Sequence, residues 1–153
     1  MKMLFKQRVF SWFGSYDIFN EDGHTLFTVK GKLSWGHCLH VLNANGVHIG
    51  TVQQKSSSFM PQFELYAYGG YLGCIKQEFT LFAPKFSFDC SDWTVKGSWT
   101  QWDYSIVSPR LGLVAAVCKV RLKLAEVYAI EVADPDNALC VLLAVLAASA
   151  SKF

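Results

Sequence analysis

The sequence predicts a mainly β protein: a closed antiparallel barrel of about twelve strands around one buried, apolar C-terminal α-helix. Three observations carry that expectation. Short runs of aromatic and β-branched residues, punctuated by Gly, Asn and Asp, fill the chain as far as Val132. Asp-Gly and Asn-Gly turns recur between such runs, and Gly tolerates the positive φ that tight hairpins need. The stretch Ala138 to Ala148 then carries no polar residue on any face. A helix that is apolar all round must be surrounded by protein or by lipid. A sheet this wide curls, closure removes its unpaired edges, and a barrel of that strand number leaves an interior wider than wall side chains alone can fill. The strands and the helix therefore predict each other.

The first strand alternates around Leu4, Lys6 and Arg8 over residues 3–10, and Gly14-Ser15 ends it. Tyr16–Phe19 and Leu26–Val29 flank Asn20-Glu21-Asp22-Gly23, and Val41-Leu42 and Ile49–Val52 flank Asn43-Ala44-Asn45-Gly46. Aligned with an offset of 23, Asn20 matches Asn43, Gly23 matches Gly46 and Thr28-Val29 matches Thr51-Val52, an internal hairpin repeat. Further hairpins are expected at Gly69-Gly70, joining Phe63–Tyr66 to Tyr71–Ile75, and at Ser91-Asp92, joining Phe86–Phe88 to Trp93–Val95. Ser108-Pro109-Arg110 is expected to join Tyr104–Val107 to Leu113–Ala115. The last strand, Val127–Val132, runs into the helix.

The helix is expected over residues 134–149. Asp134 suits the N-cap, Pro135 the first helical position, and Asp136 the positive end of the helix dipole. Its burial rests on Leu139, Leu142, Leu143 and Leu146, with Val141 and Val145. About 15 residues span roughly 22 Å, against the 20 or so apolar residues a bilayer crossing needs. The length favours a barrel plug over a transmembrane span.

One domain covering 1–153 is expected. Apolar residues make up 52% and charged residues 17%, which excludes an extended disordered chain. A net charge of +2 is far from the basic balance of a nucleic-acid binder. Five cysteines, an odd number without a Cys-x-x-Cys pair, read as reduced small hydrophobes and hence a cytoplasmic chain without disulfides. Met1–Lys6 lacks the uninterrupted apolar core of a signal peptide.

Sites of chemistry are few. No Gly-x-Ser-x-Gly is present, and the serines at 56–58 have no His or Asp nearby. Asp89, Asp92 and Asp103 are the carboxylates for an enzyme site at a barrel end, although aspartate beside a turn usually caps it. His37-Cys38-Leu39-His40 does not have zinc-site spacing, so no metal and no cofactor is expected. Phe59 and Met60, after the serine run, are read as tucked over a barrel end. The five tryptophans suit the core and barrel rim. The stretch Lys119-Val120-Arg121-Leu122-Lys123-Leu124 alternates cations with apolar residues. On a strand this reads as Lys119, Arg121 and Lys123 facing outward over an inward apolar row: a solvated face or a patch for anionic lipid headgroups.

Several segments together resemble bacterial LURP-one-related proteins. They are Lys6–Trp12, the paired turn segments Phe19–Val29 and Leu42–Val52, Gln54-Lys55, Phe82–Phe86, Trp93–Gly97 and Ile130–Pro135. The resemblance runs over the whole chain in order. It implies the tubby C-terminal-like fold, in a superfamily that includes phosphoinositide-binding tubby domains and phospholipid scramblases. One departure is Leu122-Lys123-Leu124-Ala125-Glu126, where many relatives carry a Trp-Gly-rich turn; no stretch matches a phosphoinositide-binding motif. The expectation is thus a non-enzymatic intracellular binding or scaffold protein whose partner is anionic membrane lipid or another protein, cytoplasmic or peripheral at the inner membrane face. The alternatives are an enzyme with a small-ligand site at a barrel end, and a membrane-associated, scramblase-like lipid-handling protein.

Overall fold

The structure is a computed structural model and describes residues 1–6, 14–32, 37–55, 60–78, 85–89, 91–122 and 125–150. Twelve strands are present among the described residues: β1 (Lys2–Lys6), β2 (Ser15–Phe19), β3 (Thr25–Lys32), β4 (Cys38–Asn43), β5 (His48–Gln54), β6 (Gln62–Ala67), β7 (Gly70–Glu78), β8 (Lys85–Phe88), β9 (Thr94–Ser98), β10 (Asp103–Ser108), β11 (Gly112–Leu122) and β12 (Ala125–Val132). They form one antiparallel sheet in the order β8-β7-β6-β5-β4-β3-β2-β1-β12-β11-β10-β9. The sheet curls into a nearly closed barrel, with the first strand set beside the last. Lys2 lies opposite Glu131, and the Met1 amino group donates to the Val132 carbonyl at 3.0 Å. The remaining gap is a seam between β8 and β9.

Period-two alternation decides which side chains line the interior. Leu39, Val52 and Leu65 lie opposite one another on β4, β5 and β6, and all three are buried. A short 3₁₀ turn, Pro135–Asn137, follows β12 and leads into helix α1 (Ala138–Ala150). The Asp134 carboxylate accepts from the Asp136 N–H at 3.0 Å, so the cap forms on that turn. Twelve of the thirteen α1 residues are buried, and Cys140 is half-buried. Leu142 and Leu143 have no exposed surface, and Ser149, the helix's one hydroxyl, donates to the Val145 carbonyl at 2.6 Å. The helix packs chiefly against β5, β6 and β7. Gly50 permits the approach: a Cβ there would lie 3.1 Å from Leu139 Cδ1 and 3.2 Å from Leu143 Cδ2. No helix among the described residues is long and apolar enough to cross a membrane.

The two turns of the repeat are copies. Asn20 Oδ1 accepts from the N–H groups of Asp22 and His24 at 3.0 and 2.9 Å, and Asn43 Oδ1 from those of Asn45 and Val47 at 2.9 and 3.0 Å. Gly23 and Gly46 take φ of 84° and 80°, and each hairpin carries one bulge at the equivalent place.

The hairpin expected at Ser91-Asp92 does not form. β8 pairs with β7 and β9 with β10, but not with each other. The carboxylates beside that turn are committed to the flanking strands. Asp89 is tied to Cys74 of β7, its N–H donating to the Cys74 carbonyl at 3.1 Å and its carboxylate accepting from the Cys74 N–H. Asp92 Oδ2 accepts from Ser108 Oγ at the end of β10, at 2.9 Å.

Candidate functional site: the basic end of the barrel

Because neighbouring strands alternate in direction all round the sheet, the odd-numbered strands point one way and the even-numbered strands the other. The ends of the odd strands and the beginnings of the even strands therefore share one end of the barrel. Exposed cations gather there: Lys6 at the end of β1, Lys32 at the end of β3, Lys55 just past β5, Lys76 near the end of β7, and Lys119 and Arg121 late in β11. Anions at this end include Glu64, 3.9 Å from Lys55 Nζ, Asp103 at the start of β10, and Glu126, opposite Arg121. The other end carries Glu21, Asp22, Asp89, Asp92, Glu131, Asp134 and Asp136, with the cations Lys2 and Arg110. The acidic end is also where α1 begins, so Asp134 and Asp136 sit at the positive pole of the helix dipole.

Lys119 and Arg121 are exposed, but Val120 between them does not turn inward. Val120 is itself 36% exposed. Alternate residues share a face, so Lys119 and Arg121 continue the face of Ala115 and Val117, both buried. The pairing agrees: Val117 lies opposite buried Ile130, and Lys119 opposite Tyr128. Lys119 Nζ stands 5.7 Å from the centre of the Tyr128 ring. That ring stacks on Phe5 at 5.3 Å and lies 4.5 Å from Trp102. A cation over an aromatic face is held by the ring quadrupole. Lys119 and Arg121 are thus exposed as expected, but on the face that Ala115 and Val117 share rather than opposite it. Lys123 lies outside the described residues, as do the serines at 56–58 and Phe59; Met60 is half-buried.

Lys6, Lys32, Lys55 and Lys76 were not singled out from the sequence. They are scattered from position 6 to position 76, and only the strand directions bring them together. The available signal was a lysine at or next to the end of alternate strands.

The three candidate carboxylates do not converge. Asp89 caps the end of β8 and Asp92 binds Ser108, whereas Asp103 opens β10 at the opposite end of that strand. Five residues of strand separate the last two positions by about 17 Å along the barrel. His40 stacks on His48 with ring centres 4.0 Å apart, and the His48 Nε2 lies 2.8 Å from both the Gly50 carbonyl and Thr51 Oγ1. Burial, then the neighbouring His48 and Lys32 charges, hold the His40 pKa below the usual histidine value. Burial raises the thiol pKa of Cys38, Cys74 and Cys140, so none is an activated thiolate. Tyr66 donates to Glu64 at 2.5 Å, and that bond, with burial, pushes its hydroxyl up to about 12. No three ligating side chains cluster among the described residues.

A family model described as LURP-one-related matches residues 1–148. The chain belongs to the LURP-one-related family. No curated protein and no solved structure is matched by this sequence. In this LURP-one-related chain the match runs from β1 to within two residues of the end of α1, so the basic end, the seam and almost all of the helix lie within the family's shared region.

Proposed function

We propose that this LURP-one-related protein is a non-enzymatic binding module that seats its basic barrel end on anionic phospholipid headgroups. The observation that carries the reading is the grouping of exposed cations (Lys6, Lys32, Lys55, Lys76, Lys119 and Arg121) at one end, while seven described acidic residues, Glu131 included, lie at the other. A module with net charge of only +2 gains little from bulk attraction, but its charge separation orients it toward a negative surface. Each cation near such a surface contributes about 1 kcal/mol, and the attraction acts within a Debye length of about 10 Å at 0.1 M salt. The same reading takes the barrel and its C-terminal helix as a tubby C-terminal-like fold and puts the protein in the cytoplasm or at the inner membrane face.

The test is co-sedimentation with vesicles of neutral lipid, alone or mixed with anionic lipid, across a salt series. Binding should require the anionic lipid and fall as salt rises. Changing Lys32, Lys55 and Lys119 together to Gln should weaken it by on the order of a hundredfold. A charge-matched control places Glu at Val47, Tyr68 and Leu113, exposed residues of the other end. Both variants lower the net charge by three, from +2 to −1. Equal loss in the two would reduce the effect to bulk charge, and absence of wild-type binding at low salt would refute the lipid reading.

A further inference from the structure

The seam between β8 and β9 opens onto a cavity that the basic end does not account for. Its walls are Leu65 and Leu72 of β6 and β7, Phe88 at the end of β8, Ser91 and Trp93 before β9, and Cys140 and Ala144 of α1. Its volume is about 120 Å³. Protein interiors leave few voids larger than a water molecule, and an apolar cavity of roughly 150 Å³ stays dry and takes up benzene. Between Leu143 and Val145 the helix presents Ala144, where a larger side chain would fill this space.

The cavity leads outward. Ser91 and Trp93 also line a wider, open hollow of about 580 Å³ with Asp92, Arg110, Leu111 and Asn137. Asp92 accepts from Ser108 there and lies 4.0 Å from Arg110 Nε. An apolar chamber thus adjoins a mouth that offers a carboxylate, a guanidinium and an amide. Because β8 and β9 share no ladder, a ligand enters between them without breaking strand–strand hydrogen bonds.

We propose that the seam is a binding site for a small amphiphile: a ring or branched chain of about six carbons that fills the chamber, with a polar head left among Asp92, Arg110 and Asn137. The site is separate from the basic end, and its ligand is a discrete small molecule rather than a membrane surface. A volume of about 120 Å³ suits a compact hydrocarbon group, not an extended acyl chain.

Benzyl alcohol, which carries both parts, is the probe, with glycerol as a head-only control. In methyl and indole NMR of the intact protein, benzyl alcohol should shift the Leu65, Leu72 and Ala144 methyls and the Trp93 indole saturably, and glycerol should not. Ala144→Leu should weaken binding at least tenfold while the remaining spectrum stays in place. If that variant does not fold, Leu72→Trp closes the chamber from its half-buried wall and should have the same effect. No saturable shift at these groups in the wild type, or unchanged affinity in a folded variant, overturns the proposal.

Discussion

Replacing Leu142 by Ala probes the packing of the helix most directly. Leu142 has no exposed surface, and α1 is gripped by the curved wall of β5, β6 and β7. The substitution removes three carbons, worth about 2.4 kcal/mol in transfer at about 0.8 kcal/mol each. A cavity term adds to this, because a wall of paired strands cannot collapse inward to fill the gap. We expect a total of about 3–4 kcal/mol, within the range of about 2–5 found for Leu→Ala in cores and a large share of the 5–15 kcal/mol by which a domain of this size is stable. Equilibrium unfolding in urea measures it as a shift in midpoint at constant slope. Cys140→Ala is the internal comparison: that residue is half-buried and already borders a void, so its loss should cost less than about 1 kcal/mol. Equal costs for the two, or less than 1 kcal/mol for Leu142→Ala, would refute the burial pattern described for the helix.

Two other expectations follow from single positions. Gly97 takes a φ of +107°, and a Cβ there would lie 2.6 Å from the Asp103 carbonyl oxygen, so Gly97→Ala should cost about 3 kcal/mol in thermal or urea unfolding, whereas Gly70→Ala, with nothing closer than 3.6 Å, should cost under about 1. Because its folded pKa is lowered, His40 binds protons more readily in the unfolded chain, so its contribution to stability is intact above the ordinary histidine value of about 6.5 and is lost as pH falls below it. Imidazole NMR should show His40 titrating below that value and moving part of the way back in His48→Gln, since burial remains the larger cause; no movement would remove the stacked pair from the explanation.

Strand number and helix position were legible because their signals are local. Asn20 and Asn43 each gather two backbone N–H groups within four residues, so the turn chemistry is complete in a short stretch of sequence. The apolar run after Asp134 needs no partner to be recognised. Ser91-Asp92 misled because the same residues that close a hairpin can cap strands already paired elsewhere, and Asp89 and Asp92 do that with β7 and β10. For Lys119 and Arg121, polarity alone does not tell which face of the strand is inward. In β11 the pleat decides it, and Val120 follows Cys118 onto the outer face although it is apolar. The basic end was hidden for a third reason: its members are neighbours only through strand direction.

Setting β1 beside β12 has a consequence for how the chain acquires its structure during synthesis. Lys2 finds Glu131, and Met3 finds Ile130, only after all twelve strands have left the ribosome. The hairpins from β2 to β7 form from contacts of short range, but they build an open, curved sheet whose apolar lining (Val29, Val41, Val52, Leu65) waits for a helix encoded after every strand. Such long-range closure is slow, in the millisecond-to-second range for comparable β topologies, and it exposes edges and apolar surface meanwhile. A nascent chain halted before Ala138 would hold the wall without its filling, which makes the thirteen-residue helix after β12 the step that commits the barrel to its fold.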